Sequence, residues 1–214
     1  MRDIPMFTTS NGVASLLLKK IPFTKEAFVH IRDSLSCDEL IKECIDVCRM
    51  AGAEHIFVTG HEDLKKHAVY CNVNRYCINK DQLPFTDAVA LPLSQQLSDW
   101  WRQVYNEKMA GVAAAAPLSK ADVDGLIRAG NAYCVYRDCL ALGIGVCDNG
   151  EIQAVASLIP GCGKDVVSAL GATIEQQQIS LCVASTNEKA IRLYQSMGFV
   201  NQELESTWYK IFSC

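Results

Sequence analysis

Between Leu181 and Phe199 a short apolar run passes without a break into a helix with stop and start signals at its ends, Leu-Cys-Val-Ala-Ser-Thr-Asn-Glu-Lys-Ala-Ile-Arg-Leu-Tyr-Gln-Ser-Met-Gly-Phe. Ser185-x-x-Glu188 fits a capping box, and Gly198 suits the left-handed residue that ends a helix. Asn187, Ala190, Ile191 and Tyr194 stand at i, i+3, i+4 and i+7 and share one face. An amide, a small residue and a phenol beside a strand end can hold and protonate a ligand. The same pattern also describes a core helix with Tyr194 half buried. Either way the segment commits the chain to strands and helices packed in layers.

The rest of the sequence fills in those layers. Val13 to Leu18 and Ala27 to Ile31 read as strands separated by Ile21-Pro22, where the proline interrupts a ladder. Ser36-x-x-Glu39 opens a helix whose face is Leu40, Ile41, Cys44, Cys48 and Ala51, closed by Gly52. His55 to Val58 reads as a buried strand, Glu62 to Tyr70 as a helix, and the polar, proline-ended Asn79 to Pro84 as an internal boundary. Beyond it come a strand at Ala88 to Pro92 and a helix from Ser94 to Met109 with Trp100, Trp101, Val104 and Tyr105 on a broad core face. Ala110 to Pro117 is a small-residue linker, and Ser119 caps a further helix that ends at Gly130. Three strands follow, Ala132 to Tyr136, Cys139 to Cys147 and Ile152 to Ile159. The last two are joined by Asn149-Gly150, a tight hairpin signal. A loop at Gly161-Cys162-Gly163-Lys164, a helix to Gln177, a strand at Ile179 to Ala184, a helix at Glu188 to Met197 and a terminal hairpin from Phe199 complete the chain.

Charge and cysteine content narrow the function. With 20 Lys+Arg against 24 Asp+Glu in 214 residues, the chain lacks the basic face of a nucleic-acid binder. No apolar run reaches a membrane span, and the first ten residues lack a signal-peptide pattern, so a cytoplasmic location is expected, with neither nucleic acid nor membrane as partner. Eleven cysteines, an odd number without Cys-x-x-Cys, point to reduced thiols and no metal site, with Cys37, Cys44 and Cys48 as small core residues. His30, His55, His61 and His67 show no ligand spacing.

The strand followed by Asn187-x-x-Ala190-x-x-Leu193-Tyr194-x-x-x-Gly198-Phe199 resembles the closing motif of the GNAT superfamily of acyl-CoA-dependent N-acetyltransferases, and the element order upstream matches too. The resemblance covers Asp87 to Cys214. Residues 1–86 are similar to the latter half of such a domain, so the expected fold is an α/β mixed sheet of GNAT type at 87–214, preceded by a partial GNAT-like segment. It implies acetyl-CoA as cosubstrate, with its pantetheine arm in a gap between Ile152–Ile159 and Ile179–Ala184 and its pyrophosphate on the loop and helix start that follow. The pattern there is Gln/Arg-x-x-Gly-x-Gly/Ala; this chain has Cys162, Gly163, Lys164, Asp165, Val166 and Val167. Asp165 and Val167 replace small residues, and a carboxylate close to one phosphate charge weakens binding roughly a hundredfold.

The resemblance assigns Tyr194 to protonation of the leaving thiolate, places Asn187 and Ala190 against the cofactor arm, and puts oxyanion-stabilising N–H groups near Leu158 or Ile159. Glu151, at the start of that strand, is the candidate general base. The acceptor is a small-molecule amine or a peptide N-terminus, and a homodimer is the expected assembly. Two other readings stand beside acetyl transfer. One is a degenerate fold of this type that binds a ligand or partner without catalysis, which Asp165 and Val167 favour. The other is an unrelated α/β protein whose Asn187 and Tyr194 belong to the core.

Overall fold

The computed structural model describes residues 3–113 and 115–213. They divide into two compact units, one from residues 3–73, 113, 115–117 and 204–213, the other from residues 74–112 and 118–203. Among the described residues no helix is long and apolar enough to cross a membrane.

The first unit begins with β1 (Ile4–Thr9) and β2 (Gly12–Leu17), followed by the short α1 (Ile21–Thr24), β3 (Glu26–Ser34), α2 (Cys37–Met50) and β4 (His55–Thr59). A 3-10 turn at Glu62–Lys66 then leads into β5 (Ala68–Asn79), whose later residues belong to the second unit. Strands β1, β2 and β3 are successively antiparallel, and β3 pairs with β4 in parallel across α2. Alternation sorts the side chains by face. Ala27, Val29 and Ile31 of β3 and Ile56 and Val58 of β4 join Leu40, Ile41, Cys44 and Cys48 of α2 in one buried cluster. The other face is aromatic: Phe28 lies 5.1 Å from Phe57, Phe57 stacks on Tyr70 at 3.9 Å, and Trp208 meets Phe28 edge-on at 5.3 Å.

The second unit adds β6 (Val89–Pro92), α3 (Ser98–Met109), α4 (Lys120–Ala129), β7 (Ala132–Arg137), β8 (Leu140–Asp148), β9 (Glu151–Ser157), α5 (Gly163–Thr173), β10 (Gln178–Ala184) and α6 (Glu188–Ser196). The final strand, β11 (Val200–Ser213), begins in this unit and ends antiparallel to β4 in the first, with Tyr209 opposite Val58. Within the second unit the sheet order is β5-β10-β9-β8-β7-β6. The predicted hairpin is present: Asn149 and Gly150 take φ of 46° and 81°, and β8 and β9 are antiparallel. The capping box at Ser119 is also made, with Asp122 bonded back to the Ser119 N–H at 2.8 Å.

Helix α5 is seated by two missing side chains. A Cβ on Gly143 would stand 2.6 Å from Val166, and one on Gly145 would stand 2.3 Å from Leu170. The helix therefore lies directly on the backbone of β8, with Val166, Val167 and Leu170 fully buried.

Four sequence expectations give way here, the first being the capping box at Ser36, whose side chain makes no cap bond at the start of α2. Glu62 to Tyr70 is not a helix but a single 3-10 turn followed by β5, a strand set by its neighbours in the sheet rather than by an alternating pattern of its own. The C-terminal segment is one long strand rather than a hairpin, and no Gly or Pro stands between Val200 and Ser213 to break it. Helix α6 is capped by Asn187 instead of Ser185, because the chain turns into the helix two residues later than the capping-box pattern implies.

Candidate functional site

The candidate site lies wholly in the second unit, where β9 and β10 run parallel yet part. Among the described residues their pairing is confined to Ser180 opposite Glu151. That junction is stitched by side chains as well. Ser180 donates its N–H to the Gly150 carbonyl at 2.9 Å, and Arg75 donates to the Ser180 hydroxyl at 3.4 Å. The Arg75 guanidinium also lies 3.9 Å from the Glu151 carboxylate and 3.2 Å from that of Glu203.

Beyond the junction, the register of β9 decides which backbone groups face β10. Leu158 donates its N–H to the Leu142 carbonyl of β8 at 2.8 Å, and Ala156 and Ala154 follow it at the same parity. Antiparallel partners alternate between hydrogen-bonded and open pairs. Val155 and Ser157 are thus the open members, with N–H and C=O turned away from β8 toward β10. Of the two positions singled out from sequence, Leu158 has its N–H already engaged by β8, whereas Ile159 shares the parity of Ser157.

Just past Ile159 the chain turns at Gly161, with φ of 90°, and enters α5. Cys162 is the N-cap and makes no side-chain cap bond; its carbonyl accepts the Val166 N–H at 3.0 Å. The N–H groups of Gly163, Lys164 and Asp165 precede the first intrahelical bond and form the positive end of an eleven-residue helix, a natural seat for an anion. The side chain of Val167 is buried in the core cluster and does not stand among these groups. Lys164 reaches the Ser196 carbonyl at the end of α6 at 3.5 Å.

Asp165 is engaged, though by partners not foreseen from the sequence. Its carboxylate accepts from the Thr86 hydroxyl at 2.9 Å and pairs with Arg137 at 2.7 Å, and Arg137 also pairs with Asp87. Burial works against the charge on Arg137, but the hydrogen bonds to Asp165 and Asp87 outweigh it and hold its pKa above the ordinary arginine value. The negative charge expected to face a phosphate is thus matched by a guanidinium. Thr86 and Asp87 precede β6 and Arg137 ends β7, so only the sheet pairing of those two strands brings them to α5; Val89 lies opposite Tyr136.

Helix α6 follows β10 and packs Ala190, Ile191, Leu193 and Tyr194 against the core cluster. The Asn187 side-chain oxygen accepts the Ala190 N–H at 3.3 Å, which leaves its amide N–H groups for other partners. Two turns on, Tyr194 is 7% exposed, and burial pushes its pKa up to about 12. The phenol therefore stays protonated throughout the physiological range. Gly163 packs against α6, its hypothetical Cβ 3.0 Å from Leu193, so the start of α5 lies against the later turns of α6. Glu151 stands at the joined end of the strands, seven residues of β-structure from Leu158, which is about 23 Å at 3.3 Å per residue.

No protein-family model and no curated protein matches the chain by sequence. Solved structures do match in fold. A GCN5-related N-acetyltransferase from Sphaerobacter thermophilus superposes with a TM-score of 0.56 at 12% identity, over 94% of this chain and 76% of that one. A GNAT-family acetyltransferase from Colwellia psychrerythraea gives 0.54 at 11% identity, over 96% and 84%. A tandem GNAT protein from the clavulanic acid biosynthesis pathway gives 0.52 at 12% identity, over 94% and 78%. Together with the parted parallel strands and the helix that follows β9, these likenesses show that the chain has the mixed-sheet fold of the GNAT acyltransferases.

Proposed function

We propose that the chain transfers the acetyl group of acetyl-CoA to an amine, a small molecule or a peptide N-terminus, within a GNAT domain spanning 87–214. The observation that carries this reading is the parting of β9 from β10, which leaves Val155 and Ser157 to pair with an amide-bearing arm as a neighbouring strand would. The residues present fit such a ligand. The first N–H groups of α5 suit a pyrophosphate, and Asp165 is already paired with Arg137.

Bound acetyl-CoA supplies a thioester carbonyl for the amine to attack. With the phosphates at Gly163, Lys164 and Asp165, an arm lying in the gap carries its reacting end back along β9 toward Val155. The Val155 N–H then stabilises the developing oxyanion, in a position deeper than Leu158 or Ile159. As nitrogen bonds to the carbonyl carbon and the carbon–sulfur bond breaks, Tyr194 gives its proton to the sulfur. Glu151, the only carboxylate on β9, lies about 13 Å along the strand from Val155 and takes the amine proton through a chain of waters. Asn187 and Ala190 border the arm from α6.

The test is release of free thiol from acetyl-CoA by the purified chain across a panel of amines and peptides. Amine-dependent release supports the reading, and CoA binding without release on any acceptor favours the alternative of a non-catalytic binding module, which Cys162 in place of Gln/Arg also favours.

A further inference from the structure

The start of α2, which occupies in the first unit the place that α5 occupies in the second, carries a different chemistry. β3, α2 and β4 form the same parallel strand-helix-strand unit as β9, α5 and β10, but β3 and β4 are paired at five successive positions from Glu26–His55 to His30–Thr59 and leave no gap. Cys37 is the first residue of α2, and the 3-10 turn after β4 brings His61 and Asp63 to it. The Cys37 sulfur, a ring nitrogen of His61 and a carboxylate oxygen of Asp63 all lie within 4.8 Å of one another.

We propose that Cys37, His61 and Asp63 form a three-ligand site for a divalent transition-metal ion of the zinc class, with a fourth position left to water. The donor set of one sulfur, one imidazole nitrogen and one carboxylate is the mixture zinc accepts. The spacing also suits it. His61 Nδ1 lies 3.5 Å from Asp63 Oδ2, where two ligand atoms at about 2.1 Å from a tetrahedral ion stand about 3.4 Å apart; Nδ1 also accepts the Asp63 N–H at 3.2 Å, a bond that gives way when this nitrogen takes the ion. Cys37 is buried, His61 half-buried and Asp63 exposed, so the site has a core-facing anchor and a solvent-facing entrance.

The electrostatics disfavour a nucleophilic thiol at this place. Burial raises the Cys37 pKa first, and Asp63 and Asp38 raise it further, with Lys66 opposing. Lys66 is itself held by Asp38 at 2.6 Å. An activated cysteine needs the reverse shift. The proposal does not depend on acetyl transfer.

The probe is Co2+ added to the reduced, metal-stripped full chain, read by the near-ultraviolet absorption that only a thiolate–cobalt bond produces. One equivalent should bind with that absorption and release protons as the thiol ionises. Cys37→Ser should abolish the band, while Cys139→Ser and Cys162→Ser keep it. Asp63→Asn, at an exposed position, should fold normally and bind at least about tenfold more weakly. A band that survives Cys37→Ser, or the absence of saturable binding by the folded chain, overturns the proposal. If Cys37→Ser does not fold, wild-type affinity in both Asp63→Asn and His61→Gln overturns it equally.

Discussion

On the proposed reading Tyr194 and Arg137 carry the most specific roles, and each makes a separable prediction. Tyr194 lies on the α6 face that begins at Asn187, and its burial keeps it a neutral donor until about pH 12. Tyr194→Phe should lower kcat on the order of a hundredfold with little change in CoA affinity, because only a proton present in the transition state is removed. Equal turnover in the variant, with chemistry rate-limiting, would contradict the assignment. Arg137 neutralises Asp165 beside the anion-binding end of α5. Calorimetry should find that Arg137→Gln weakens CoA binding up to about a hundredfold, and that adding Asp165→Asn restores much of the loss. Additive losses would mean that the carboxylate does not face the phosphate. The sequence displays Asp165 as an obstacle; its remedy lies 28 residues upstream and becomes visible only once β6 and β7 are paired.

Among the elements, α5 and the β9–β10 pair set the geometry. Gly143 and Gly145 let α5 rest on β8, so Gly145→Val should push the helix away at about 1–3 kcal/mol of stability, read from urea unfolding, and should weaken CoA binding as the helix N-terminus moves. A variant with unchanged stability and affinity would show that α5 is placed by other contacts. Local signals explain what the sequence made legible at this scale. Asn149-Gly150, the Ser119 capping box and the run from β10 into α6 are each encoded by a few adjacent residues. What was hidden depends on distant partners. β5 carries polar residues at Asn72, Asn74 and Arg75 that read as loop or helix until β10 and β11 flank it. The same holds for Cys37 and His61, which are 24 residues apart and share no spacing pattern, yet meet where α2 begins.

On the scale of the whole molecule, each unit holds one parallel strand-helix-strand arrangement. In the first unit the parallel strands are zipped together; in the second they part and expose backbone groups. Both units bury groups that resist ionisation: burial is the leading cause that pushes Cys44, Cys48, Cys147 and Tyr194 up to about 12. Unfolded cysteine and tyrosine ionise near pH 8.5 and 10, so the unfolded chain gives up protons that the folded one keeps. The contribution of these groups should be level below about pH 8.5, and stability should fall steadily as pH rises from there toward 12, as followed by the urea midpoint. A midpoint unchanged to pH 11 would mean these groups ionise without loss of packing.

Amide hydrogen exchange resolved by residue tests most directly whether the gap between β9 and β10 receives the CoA arm. Adding CoA should slow exchange at Val155 and Ser157, which face the gap, and at Gly163 to Asp165 at the start of α5, while Leu158, already bonded to Leu142, changes little. Saturable CoA binding that leaves Val155 and Ser157 exchanging as before would contradict that placement of the arm.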